Sequence, residues 1–301
     1  MDLGLDGRVA LVIGASRGLG RASALELLRE GAAVMLSSRD EAALASAAAA
    51  LAADVDADHA RTGGSRLDPV TADDADIWLG GSRDRRTARE RVAWVAGDVS
   101  LPETAQHLVA ATVARFGRLD VLVVNAGGPP PGPFESLAEE QWRQAVDLTF
   151  LSAVRLVRAA VPYLRDERVR AAGGGRIVFI ESGSVKQPVP NLVTSNALRS
   201  AVQGLMKTLS IELAPDGIRV NAVAPGRLDT ERIRQLDRDT ATRSGRTEDE
   251  VRAEQLTTIP LGRYGAPAEL GAVVAFLASS RASYVTGTLV PVDGGQIRSM
   301  L

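Results

Sequence analysis

A chain of 301 residues with an apolar fraction of 45% has enough material for a sizeable core, and is neither disordered nor fibrous. A formal charge of −2 offers no general attraction to nucleic acid or to an anionic membrane, which leaves a small molecule as the expected partner. With no cysteine, disulfides, thiol catalysis and thiolate metal sites are excluded, and His59 and His107 stand in no metal-like cluster.

No apolar run approaches the ~20 residues of a membrane-spanning helix. The acidic N-terminus has no secretory pattern, so the expected location is cytoplasmic.

The first apolar run, Val9 to Ile13, predicts a strand buried on both faces. It stops at a glycine-punctuated turn that opens into a helix-forming segment, Arg21 to Glu30. The glycines suit three tasks: a sharp turn at Gly14, backbone approach to a pyrophosphate, and close packing of helix on strand. Gly14, Ser16, Arg17, Gly18, Leu19 and Gly20 therefore form the expected phosphate cradle, with the helix N-terminus adding positive partial charge.

A second apolar run, Ala33 to Ser38, ends in Ser37-Ser38-Arg39. An acidic residue at that strand end suits the ribose of NAD(H), whereas an arginine suits the 2′-phosphate of NADP(H). Ser38, Arg39 and the nearby Arg17, with no carboxylate at the strand's end, favour NADP(H) over NAD(H).

Glu41 to Ala53 is alanine-rich and helical by propensity. From about Asp54 to Arg91 aspartates give way to arginines, and only Ile77, Trp78 and Leu79 form an apolar knot. Connections in α/β units usually take ~2–6 residues, so this stretch reads as an insertion: a surface excursion, or a lid or docking arm anchored by Trp78.

Val92 to Ala96 resumes the strand pattern and closes on Gly97-Asp98-Val99; a helix from Pro102 to Phe116 follows, with the proline in its first turn. Asp120 to Val124 is the next strand, ending in Asn125-Ala126-Gly127-Gly128, and the proline-rich loop Gly128 to Pro133 reads as a stiff crevice wall. A long helix, Ala138 to Leu164, carries Asp147 in its middle. Gly175 to Ile180 is a strand ending in Glu181-Ser182-Gly183-Ser184-Val185-Lys186, and Ser195 to Ala214 is the next helix. Strands at Ile218 to Ala224, ending in Pro225-Gly226, and at Leu289 to Val292 complete the pattern, while the charged segment Asp229 to Thr258 reads as a flexible cover. This alternation predicts a Rossmann-type doubly wound parallel sheet of about seven strands, helices on both faces, with residues 1–301 as one domain. Ligands on such sheets bind beyond the C-terminal strand ends, where Asp98 and Asn125 fall.

With these residues in order, the chain resembles the short-chain dehydrogenase/reductase family, and within it the 3-oxoacyl-acyl-carrier-protein reductase group. The likeness is carried by Gly14-Ala-Ser-Arg-Gly18-Leu-Gly20, Asp98-Val99, Asn125-Ala-Gly127, Ile218 through Gly226 with Thr230, and Val292-Asp-Gly-Gly295. It implies that the glycine turn holds the pyrophosphate and that Asp98, with Val99, meets the adenine. It also implies that Asn125, Ala126 and Gly127 support the central strand, that Pro225, Gly226 and Thr230 hold the nicotinamide, and that copies assemble as homodimers or homotetramers. The substrate would be a small molecule or an acyl thioester.

The family's catalytic pattern is Asn, Ser, then Tyr-x-x-x-Lys. Ser182 holds the serine position, but Ser195 stands for the tyrosine, Arg199 for the lysine and Asp147 for the asparagine. Hydride transfer to a ketone leaves an alkoxide that needs a proton, which the family's phenol supplies after a neighbouring lysine lowers its pKa from ~10. A serine hydroxyl is a far weaker acid, and a guanidinium keeps its proton, although its charge can hold a ribose or an alkoxide. Losing general-acid help costs ~10²–10⁴ in rate. Lys186 on the loop after Ser182 is the first candidate replacement; Glu181 and Asp147 are others, and Asp147 is the expected ion-pair partner of Arg199. Two main readings stay open: an NADP(H)-dependent oxidoreductase with a non-standard proton donor, and a catalytically silent NADP(H)-binding sensor or partner protein. Non-redox chemistry with bound NADP(H) is a third.

Overall fold

The computed structural model describes residues 2–61 and 86–299. Seven parallel strands, β1 (Val9–Ile13), β2 (Ala33–Ser38), β3 (Val92–Ala96), β4 (Val121–Val124), β5 (Arg176–Ile180), β6 (Arg219–Pro225) and β7 (Leu289–Val292), lie in the order β3-β2-β1-β4-β5-β6-β7. The chain steps outward from β1 to β3, then returns beside β1 with β4 and continues the other way. Strand order thus reverses between β1 and β4, and the crevice beyond their C-terminal ends is the place where sheets of this kind bind ligands.

The helices are α1 (Gly18–Arg29), α2 (Glu41–Arg61), α3 (Ala88–Arg91), α4 (Thr104–Phe116), α5 (Glu139–Ala145), α6 (Ser152–Leu164), α7 (Glu167–Ala171), α8 (Val193–Glu212), α9 (Glu231–Ser244), α10 (Glu248–Thr257) and α11 (Pro267–Ala278). Alternate residues of each central strand feed two cores. Ala10 and Val12 of β1, with Val178 and Ile180 of β5, pack with Leu27 and Leu28 of α1, Leu44 and Leu51 of α2 and Leu270 and Val274 of α11. Leu11, Ile13, Ile177 and Phe179 pack on the other face with Leu108 of α4, Leu156 of α6 and Val202 and Met206 of α8. Each of the larger side chains contributes roughly 1.5–3 kcal/mol when fully buried, and these strands read as apolar runs because both faces are covered. On the first face α1 and α11 cross closely: a Cβ at Gly271 would lie 2.7 Å from the Ala22 carbonyl oxygen.

Four expectations need correction. The long helix at 139–164 is interrupted by a π-helical turn, Val146–Leu151, which contains Asp147. Pro102 precedes α4 in a turn instead of sitting inside its first turn. The expected cover is not a flexible loop but two helices, α9 and α10, each capped by a threonine: Thr230 accepts from the Ile233 N–H, and Thr247 forms a capping box with Glu250. Both ends of the stretch expected as an insertion, 54–61 and 88–91, are helical. α2 runs on to Arg61, with Asp58 bonded to Arg29 at 2.7 Å, and α3 returns the chain through the buried Arg91, which donates to the Leu28 and Ala32 carbonyls. Ile77, Trp78 and Leu79 lie outside the described residues. Among those described, no helix is long and apolar enough to cross a membrane.

Candidate active site

At the C-terminal end of β1 the chain turns through Gly14 and Gly18, both with φ in the left-handed region, +65° and +60°. A side chain at either would be strained, which is why the turn takes glycine. Gly20 answers a different need, since a Cβ there would lie 2.3 Å from the Gly14 carbonyl oxygen. Asn125, at the end of β4, donates from Nδ2 to the Ile13 carbonyl at 3.2 Å and so ties the two strands together where their order reverses. The Ala15 N–H reaches the Ser37 carbonyl at 3.0 Å, bracing the turn against β2. The result is a cradle whose backbone is left uncovered at Gly14, Gly18 and Gly20, at the N-terminus of α1, whose cap residue Arg17 is exposed.

At the ends of β2 and β3, Arg39 lies 4.0 Å from Asp98 with its side chain 77% exposed. Asp98 is engaged chiefly with its own loop, accepting from the Ser100 N–H at 3.0 Å and hydroxyl at 2.7 Å. Burial works to raise its pKa, but those two bonds and Arg39 outweigh it and hold the carboxyl below its ordinary value. Ser100 in turn offers its carbonyl to Arg155 of α6 at 2.8 Å, and Arg155 holds Asp147 at 3.0 Å. Asp147 therefore braces the Asp98 loop and is not the partner of Arg199. Sequence reasoning missed Arg155 and Ser100. The Asp-x-Ser spacing signals the turn, but nothing in the local pattern links α6 to it.

On the other side of β4, three residues of the altered catalytic pattern, Ser182, Ser195 and Arg199, lie about the end of β5 and the first turns of α8, apart from Asp147. Ser182, at the end of β5, accepts from the Ser184 N–H at 3.1 Å, so its own proton remains available to a ligand. Ser195, in the first turn of α8, is only 8% exposed and its hydroxyl lies 3.4 Å from that of Ser184. One turn on, the buried Arg199 donates to the Ile180 carbonyl at 3.1 Å and the Ala126 carbonyl at 3.4 Å, bridging the ends of β5 and β4. Its carboxylate neighbour is Glu181 at 3.8 Å. Burial pushes the Glu181 carboxyl up from 4.5 to about 7, with Arg199 pulling the other way.

Lys186 sits half-buried just beyond this group, on the 3-10 turn that leaves β5. The proline-rich loop closes one side: the Gly132 N–H donates to the Asn191 carbonyl at 2.7 Å, and the Thr194 hydroxyl to the Pro130 carbonyl at 2.8 Å. At the end of β6, Gly226 passes so close to Asp293 that a Cβ would lie 2.6 Å from its Cα, and Thr230 brings its methyl beside the Gly18 turn. The strand ends thus present a continuous strip, from Arg39 and Asp98 past the glycine cradle to Ser182 and Arg199.

A doubly wound parallel sheet with a glycine-punctuated cradle at its switch point defines the broad class. A family model described as enoyl-(acyl carrier protein) reductase matches residues 81–296, and one described as short chain dehydrogenase matches residues 8–65. The chain belongs to the short-chain dehydrogenase/reductase family, an oxidoreductase family. It is 33% identical to cis-4-hydroxycyclohexanecarboxylate dehydrogenase of Sinomonas cyclohexanicum, over 96% of each chain. Among solved structures it is similar to L-sorbose reductase from Gluconobacter frateurii complexed with NADPH and L-sorbose, with 30% identity, a TM-score of 0.81 and 100% of both chains covered. It also resembles a variant of actinorhodin polyketide ketoreductase with NADPH, at 29% identity and a TM-score of 0.79, covering 99% of this chain and 100% of the other.

Proposed function

We propose that this protein is an NADP(H)-dependent oxidoreductase that reduces a carbonyl, with a 3-oxoacyl thioester as one candidate, or oxidises a secondary alcohol, without a phenolic proton donor. The observation that carries this reading is the joining, on one strip, of a cradle whose turn requires glycine at 14, 18 and 20 with a serine whose hydroxyl proton is uncommitted. When bound, the dinucleotide supplies or accepts the hydride. Gly14, Ser16, Gly18, Leu19 and Gly20 would hold its pyrophosphate; Asp98 and Val99 its adenine; Pro225, Gly226 and Thr230 its nicotinamide. Asn125, Ala126 and Gly127 support the central strand, and Arg199 would lend its charge to the ribose or to the substrate oxygen. Ser182 donates to the substrate oxygen, and the Arg199 guanidinium stabilises the negative charge that develops there.

The choice of NADP(H) rests on Arg39, Arg17 and Ser38. An exposed 4.0 Å pair with Asp98 is worth little, so Arg39 can turn to a phosphate at small cost. NADPH is expected to bind at least about tenfold more tightly than NADH, and Arg39→Ala to shrink that gap. Fluorescence titration giving equal affinities for the two in the unaltered protein would remove the argument. Purified protein should oxidise NADPH with some member of a panel of ketones and 3-oxoacyl thioesters, and Ser182→Ala should abolish it.

A second reading, a silent NADP(H) sensor, is favoured by the burial of Ser195 beside Ser184. Tight NADPH binding with no turnover across the panel would establish it. If the site still runs the family's chemistry, Ser195→Tyr combined with Arg199→Lys should raise the reduction rate, by up to about 10². An unchanged or lower rate would mean another acid has taken over, and Lys186→Met then tests the first candidate. The same reading extends to assembly: the apolar groove between α6 and α8, lined by Val154, Val157, Val161, Leu205 and Leu209, supports a dimer or tetramer.

A further inference from the structure

Glu181 is a carboxyl group in an unusual position. It follows the last residue of β5 and precedes Ser182, its side chain is sealed from solvent, and neither of its oxygens has a hydrogen-bond partner. Arg199, 3.8 Å away, gives its two described hydrogen bonds to backbone carbonyls instead. The guanidinium is thus fixed by the strand ends, close enough to feel the carboxylate's charge but not bonded to it.

Two further unmet groups belong to α8 and to the π turn packed on it. Gln203 follows Arg199 by one helical turn and so shares its face of α8. Its Oε1 is buried without a donor, as is the hydroxyl of Thr149 on the π turn packed against α8. An ionised Glu181 offers two acceptors that no donor meets; a protonated one turns an acceptor into a donor. Among the described residues, Arg199 is the one charged group that bears on Glu181's ionisation.

We propose that Glu181 is a positioning residue that sets the charge Arg199 presents to the site. Protonated, it leaves the guanidinium uncompensated, so that its full charge bears on the substrate oxygen and, through space, on the phosphates of the nucleotide. Ionised, it cancels that charge and weakens the grip. The cofactor half of this inference rests on the proposed NADP(H) function; the coupling of Glu181 to Arg199 does not. By linkage, binding an anion beside Arg199 draws a proton onto Glu181, so affinity falls as pH rises.

The test follows the Glu181 carboxyl by infrared spectroscopy, as the wild-type minus Glu181→Gln difference across pH. The carboxyl should titrate in the neutral range, and Arg199→Gln should move its midpoint upward by about one pH unit or more. A midpoint that Arg199→Gln leaves in place overturns the proposal before any nucleotide is added. NADPH titrations at about pH 6 and about pH 8.5 form the second arm. Wild type should lose about tenfold more affinity across that span than Glu181→Gln, and should take up more protons on binding. The titration of the 2′-phosphate, near pH 6, is common to both proteins and cancels. Equal pH dependence in the two proteins overturns the role of Glu181 alone. A coupled carboxyl in a protein that binds no NADPH at ~1 mM overturns the assignment of the pair to a cofactor site, and the proposed function with it.

Discussion

At about pH 8, Glu181→Gln is expected to stabilise the protein by about 3 kcal/mol, and at about pH 4.5 to change its stability by less than about 1 kcal/mol. The folded protein holds this carboxyl at about 7 against 4.5 in an open chain, because burial opposes its charge more than Arg199 supports it. A pKa raised by folding contributes stability that is whole below the unfolded value and is lost as pH rises through the folded one. Wild type therefore loses this contribution between about pH 4.5 and pH 7, whereas an amide of nearly the same shape keeps its neutral form throughout. At roughly 2 °C per kcal/mol for a chain of this size, the shift in thermal midpoint is on the order of 5 °C. Identical midpoints at about pH 8 would show that Arg199 fully accommodates the carboxylate, and that the orphaned oxygens carry no cost.

The sheet was legible because its strands are short, mostly apolar runs bounded by turn residues, unbroken at the centre where both faces are covered and still apolar at the half-exposed edges β3 and β7. Val9–Ile13, Ala33–Ser38, Val92–Ala96 and Leu289–Val292 match their expected spans, and the other strands shift by a residue. The crevice was legible for a related reason: Gly14, Gly18 and Gly20 answer steric demands that no other residue meets. Side-chain pairing was not. Asp147 was expected beside Arg199, but the π turn that carries it faces Arg155, and periodicity does not distinguish such a turn from an ordinary helix. The helices over residues 231–257 were legible in principle. Thr247 and Glu250 have the spacing of a capping box, a local signal that the charge of the segment masks.

The largest loss of stability is expected far from the crevice, at Asp120, where replacement by asparagine should cost about 3–5 kcal/mol. This carboxylate lies fully buried at the entrance to β4, at the opposite edge of the sheet. Its Oδ2 accepts from the Val9 N–H at 2.9 Å and from Arg118 Nε at 2.8 Å, while its Oδ1 accepts from Arg118 Nη2 at 2.6 Å and Arg8 Nη1 at 3.3 Å. Both ends of the group thus face donors only. An asparagine has to turn its NH₂ toward one of them, and neither orientation is satisfied.

The charge matters as much as the bonds. Burial, together with Arg219 and Arg8, pushes the pKa of the Arg176 guanidinium down, and Asp120 is the nearby group that opposes them. Removing it leaves several cations around the starts of β1, β4, β5 and β6 without their buried counter-charge, the circumstance in which breaking one partner costs most. Asp166→Asn is the control, because its pair with Arg168 is solvent-exposed and should leave the denaturant midpoint within error. If Asp120→Asn were no more destabilising than that control, the arginines would have to be hydrated well enough to dispense with a counter-ion, and the N-terminal edge would owe its order to the backbone ladder alone.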